Sequence, residues 1–136
     1  MQQLLAPLLL AFLGCSQPSE TFEFGVSPVT PAALGSVTTT VGANGNTNLT
    51  IDVHHLSPPD RVVQGSAVYV VWAKQLDANN PPSSLGALKV NDKLDGRLET
   101  LTVFRSFDLT ITPEATATVA APTGKVVLET RISPRS

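Results

Sequence analysis

From Phe22 onward, apolar and polar residues alternate with a period of two, and clusters of Gly, Pro, Asn and Asp cut the alternation at short, fairly regular intervals. A chain patterned this way buries one face of each strand and leaves the other to solvent, so two sheets must cover each other. Phe22 and Phe24 mark a first short strand that ends before Pro28 and Pro31. Val37, Thr39 and Val41 share one face of a second strand, and Leu49, Ile51 and Val53 share one face of a third. Between them Gly42-Ala43-Asn44-Gly45-Asn46 supplies an Asn-Gly hairpin turn, whose two residues tolerate positive φ. Ala67 to Gln75 is the most apolar strand, with Val68, Val70 and Trp72 on one face and Tyr69 and Val71 on the other. Apolar residues on both faces predict a central strand covered from both sides.

Ser84–Val90, Leu98–Phe104, Phe107–Thr112 and Lys125–Ile132 complete a set of about eight strands. Ser57-Pro58-Pro59-Asp60 predicts a loop, Asn91 to Gly96 and Ala121 to Gly124 predict turns, and Arg105-Ser106 joins two strands tightly. No segment of ten or more residues keeps a helical period, and Ala115 to Ala121 alternates without helix caps. The expected fold is all-β, an antiparallel, Ig-like β-sandwich occupying residues 22–134 as a single domain. Val and Thr together number 30, which favours strands. The net charge of −2 and the absence of any block of like charges supply no field for a polyanion, so nucleic acid is not an expected partner.

Leu4 to Leu13 (LLAPLLLAFL) is an apolar run of ten, too short to cross about 30 Å of hydrocarbon at about 1.5 Å per residue. Gly14-Cys15-Ser16 follows it, then the polar run Gln17-Pro18-Ser19-Glu20. This junction resembles the lipobox of bacterial lipoprotein signal peptides, with Gly14 as the small residue before the acylated cysteine and Phe12 where Leu is usual. The resemblance implies a signal peptide over residues 1–14, lipidation of Cys15, and a tether over residues 15–21. The membrane is then a partner through several acyl chains, and the protein is extracytoplasmic. Ser16 after the cysteine resembles the pattern that sends lipoproteins to the outer membrane of diderm bacteria. Cys15 is the only cysteine, so no disulfide is expected in the folded domain.

Leu56-Ser57-Pro58-Pro59, Tyr69-Val70-Val71-Trp72, Ser84-Leu85-Gly86-Ala87-Leu88, Phe107 to Glu114, and Ala121-Pro122-Thr123-Gly124-Lys125-Val126-Val127-Leu128 follow one another in a distinctive order. That order is similar to the extracytoplasmic domain of the anti-sigma-K factors, over roughly Leu56 to Ile132. It has the Tyr-x-x-Trp strand, the Leu-Gly strand, the Phe-x-Leu-Thr strand and the closing Pro-Thr-Gly-x-Val-Val-Leu strand. Here Pro113-Glu114 replaces the family's Glu-Pro. The resemblance implies an envelope-side β domain. It does not carry over the sigma-binding activity, because the chain has no His-x-x-x-Cys-x-x-Cys run.

Chemistry-bearing residues are few. His54 and His55 are adjacent, so a strand sends their rings to opposite faces. Asp52 and His54 share a face and would need a third ligand from another strand to hold zinc. Asp92 and Asp95 lie in a turn with too few oxygens for a calcium cage. Asn48-Leu49-Thr50 is a glycosylation sequon placed inside a strand. Tyr69 and Trp72 could line a small groove, but a Trp on the central strand of a sandwich reads first as a core residue. No Gly-x-Ser-x-Gly context accompanies the histidines. The expectation is therefore a non-enzymatic module with no catalytic residues, metal or cofactor, binding an envelope protein through loops or a sheet edge. The alternative is a sensory or regulatory protein similar to the anti-sigma-K outer domain.

Overall fold

The computed structural model describes residues 18–135. Cys15, the signal segment and the first residues of the tether lie outside the described residues. Eight strands form two antiparallel four-stranded sheets, an Ig-like β-sandwich as the alternation requires. The first sheet runs β1 (Glu20–Glu23), β2 (Leu34–Val41), β3 (Thr47–His54), β6 (Gly96–Thr102). The second runs β5 (Ser83–Leu88), β4 (Val68–Gln75), β7 (Phe107–Glu114), β8 (Leu128–Ile132).

The inner face of the first sheet contributes Val37, Leu49, Ile51 and Val53, all fully buried, with Leu98 packed beside them. Facing them are Tyr69, Val71, Ala73, Leu88, Phe107, Leu109, Ile111, Leu128 and Ile132 from the second sheet. The alternation is clearest in β3, where every second residue of Thr47–His54 is buried and those between are half-buried or exposed. In β4 the alternation disappears, because residues 69–73 are all buried. It is an inner strand of its sheet, flanked by β5 and β7, as its double-sided apolar pattern predicts.

Val41 pairs with Thr47 across the expected hairpin, and Gly42 N–H donates to Asn46 C=O at 2.7 Å. Of the Asn-Gly pair only Gly45 has positive φ, at 79°. The turn is thus a three-residue loop closed by a left-handed glycine, in place of the two-residue turn in which both residues are left-handed.

Other boundaries shift. β1 begins at Glu20, so Glu20 and Thr21 belong to the sheet and not to the tether. Pro59–Val62 in the proline loop winds into one helical turn, α1, with Pro59 at its start, where a missing N–H costs nothing. The expected strand from Lys125 begins only at Leu128, and Ala115 to Val127 is an irregular segment. Arg105-Ser106 does join β6 to β7, but as a crossing between sheets and not as a hairpin. Thr47 Oγ1 donates to Phe104 C=O at 2.8 Å and secures that crossing. The sequence shows the short connection; only the assembled sheets reveal which partner each strand takes.

Candidate functional site

The outer face of the second sheet carries the richest chemistry. Register places Trp72 beside Thr110, Val70 beside Thr112 and Val68 beside Glu114, all on this face. Trp72 is 1% exposed yet does not belong to the inter-sheet core. Its indole Nε1–H donates to Thr112 Oγ1 at 2.9 Å, and the Thr112 hydroxyl donates to Glu114 Oε2 at 2.6 Å. The Glu114 carboxylate, itself 1% exposed, also accepts from Thr123 N–H, Gly124 N–H and the Thr123 hydroxyl. Burial by itself would raise the Glu114 pKa, but the hydrogen bonds from Thr112, Thr123 and Gly124 outweigh it and hold the pKa below the usual 4.5. An ionised buried carboxylate with this many donors is a structural clamp: it fixes the Ala115–Val127 segment over the end of β7.

Beside this network, further along the same face, lies an open cleft of about 410 Å³ lined by Lys74, Pro82, Asp108, Thr110, Glu129 and Arg131. Arg131 Nε donates to Asp108 Oδ1 at 2.8 Å, and the pair holds the guanidinium pKa above its ordinary value. Lys74 pairs in register with Asp108 across β4 and β7. The cleft therefore presents both signs of charge on a rigid sheet, with a proline at its rim. It suits polar recognition and offers no nucleophile aligned with a base.

Trp72 is buried as a core residue is expected to be, but on the outer face of its sheet, where it is joined through Thr112 to Glu114. Tyr69 and Trp72 do not line a common groove, because three positions apart in a strand they point to opposite faces. Tyr69 is fully buried in the core and donates its hydroxyl to Ser57 C=O. Burial, and then the negative charge of Asp60, push its pKa up to about 12.

The remaining residues singled out in the sequence lie on the outer face and upper turns of the first sheet. Asp52 does not join His54; it pairs with Arg97 across β3 and β6, Nη1 to Oδ1 at 3.4 Å. His54 Nδ1 meets Asp95 Oδ1 at 2.8 Å, both exposed, and His55 leaves the strand with φ at 56°. The Asp92–Asp95 turn is organised by Asn91, whose Oδ1 accepts from the N–H groups of Lys93 and Asp95. Among the described residues no three His, Cys, Asp or Glu side chains gather as metal ligands. Asn48 of the sequon sits within β3. Sequence reasoning missed Glu114, Thr112 and Thr123 as a unit. Thr112 and Glu114 do stand at i and i+2 at the end of a strand, but their partners arrive only after an irregular segment.

Compared with known proteins, the chain matches no protein-family model, no curated protein and no solved structure.

Proposed function

We propose that the protein is a non-enzymatic, lipid-anchored, extracytoplasmic binding module: one β-sandwich tethered to a membrane through Cys15. The observation that carries this reading is the Gly14-Cys15-Ser16 junction directly after the apolar run Leu4–Leu13. The chemistry of the domain is in keeping with binding. His54 is partnered by a carboxylate and not by a hydroxyl or thiol, and the charged cleft beside Trp72 lies on rigid strands, where recognition is precise. Its ligand is a polar or zwitterionic group of another envelope component. The test is intact mass and membrane partitioning of the full chain and a Cys15→Ala variant in a lipoprotein-processing bacterium. Loss of residues 1–14, a gain of acyl mass and sedimentation with membranes, all abolished by Cys15→Ala, are expected. A chain that keeps its N-terminus and stays soluble refutes the anchor.

A sensory role similar to that of the anti-sigma-K outer domain is the second reading. What favours it is that three of the segments carrying that resemblance are hydrogen-bonded into one unit, Trp72 to Thr112 to Glu114 to Thr123. A separate membrane protein would then carry the signal inward. Crosslinking of the anchored chain in intact cells tests for it: recovery of a membrane-spanning regulator supports the sensory role, and recovery of periplasmic or envelope proteins alone counts against it.

A further inference from the structure

We infer that the end of the sandwich where the chain enters is a lipid-contacting surface, seated on the bilayer that holds the anchor. This rests on the lipid-anchor reading above and adds to it the orientation of the domain and the residues that touch lipid.

Glu20 pairs with Thr39, so the residues before it run toward the level of Val41 and the Gly42–Asn46 turn. The same end carries the β6–β7 crossing, since Thr47 at the foot of β3 holds Phe104. It also carries the turn after β4, where Leu76 N–H donates to Ser106 C=O, and the segment after β8, where Arg135 N–H donates to Glu20 Oε1. Only Ser16, Gln17, Pro18 and Ser19 separate Cys15 from Glu20. Fully extended, that stretch reaches about 17 Å. Val41 lies two residues past Thr39, about 7 Å nearer the anchor than Glu20, and the turn reaches further still. Once Cys15 is fixed at the bilayer surface, this end stands within about 10 Å of it at full tether extension, and reaches it once the tether shortens by about that distance.

The surface presented there suits the headgroup region. Val103 is 70% exposed, Leu101 52% and Val41 46%, and the exposed Arg105 and Arg135 belong to the same end, Arg135 beside Glu20 of β1. Aliphatic side chains flanked by cations insert shallowly between lipids while the guanidinium groups meet phosphates. The other large exposed apolar residues, Val26, Val29, Leu34 and Val126, lie toward the opposite end, about 26 Å away along an eight-residue strand. They face away from the anchoring bilayer.

The test uses the full chain after processing, reconstituted in vesicles of equimolar phosphatidylcholine and phosphatidylglycerol with or without bromine on the acyl chains. Trp72 is the only tryptophan and is buried, so it gives a constant background. A Val103→Trp variant is expected to lose about half of its added emission in brominated vesicles, the depth expected for an interfacial side chain. Val41→Trp, a second reporter at the same end, is expected to lose intensity likewise, and Val26→Trp to lose none. A chain that carries acyl mass and floats with the vesicles, yet whose Val103→Trp and Val41→Trp emission is unquenched or quenched no more than that of Val26→Trp, overturns the orientation and leaves the anchor standing. A chain without acyl mass on Cys15 overturns the anchor reading and this inference with it.

Discussion

Glu114 shows how much a single carboxylate can organise. It is buried, it stays ionised, and it accepts from two hydroxyls and two backbone N–H groups contributed by β7 and by the segment returning to β8. Its folded pKa lies below the ordinary 4.5. An acid depressed in this way contributes stability that is complete above its unfolded pKa and is lost as the pH falls through its folded pKa. The thermal midpoint of the wild type is therefore expected to be flat from pH 7 down to about pH 5 and to fall below that. In Glu114→Gln the charge-assisted bonds are gone. That variant is expected to be about 1.5–3 kcal/mol less stable at neutral pH, with a visibly smaller loss below pH 5. Thermal unfolding across pH for both chains checks this; equal acid sensitivity would assign the loss to other carboxylates. In the sequence Glu114 reads as one more polar residue at a strand end. Apart from the Thr112 hydroxyl two residues before it, its donors stand nine and ten positions later, beyond a segment with no regular pattern, so nothing local marks the clamp.

At the level of elements, most of the fold is legible because each strand carries its own face pattern. Leu49, Ile51 and Val53 name the buried face of β3, Gly42 to Asn46 names the turn before it, and the unbroken apolar run Val68–Ala73 names a strand covered on both sides. What alternation cannot state is sheet membership. β6 and β7 are separated by a connection as short as a hairpin, yet they belong to different sheets, because the inner faces of both must meet the same core. The segment Ala115 to Val127 shows a similar limit: its alternating Ala and Thr residues suit a strand, but its position is set by Glu114 and by close backbone contact at Gly124. A Cβ built on Gly124 would come within 2.2 Å of Pro113 C=O, so only glycine lets this segment lie so near β7. Gly124→Ala is accordingly expected to cost about 1–3 kcal/mol in a chemical-denaturation measurement. Gly45→Ala serves as the contrast. Its Cβ meets nothing, and its penalty comes only from φ at 79°.

Taken as a whole, the molecule is a sandwich with unlike outer faces. On the first sheet the outward residues are mostly polar and solvated, Leu34 and Leu101 near its two ends excepted, with Arg97 held between Asp52 and Glu99. On the second sheet part of the outer face is covered, so Val70 and Trp72 are as buried as the core. The single Trp and the single Tyr fall on opposite sides of this division: Trp72 is buried on the outer face, hydrogen-bonded through Thr112 to Glu114, and Tyr69 lies between the sheets. Each therefore reports on a different layer. In Glu114→Ala the cover loses its clamp while the inter-sheet core, which contains no part of that network, keeps its packing. Trp72 emission is then expected to shift to longer wavelength and become accessible to acrylamide at a temperature where the chain is still folded. Under the same conditions the Tyr69 phenol, titrated by its ultraviolet absorbance, is expected to ionise with a midpoint of about 12 as in the wild type. If Tyr69 instead titrated near 10.0 whenever Trp72 was exposed, cover and core would melt together and the outer layer would be an inseparable part of the sandwich. A Trp72 that opens alone would make the cover the least stable part of the domain, and would place the adjoining charged cleft beside a segment able to move when a ligand binds.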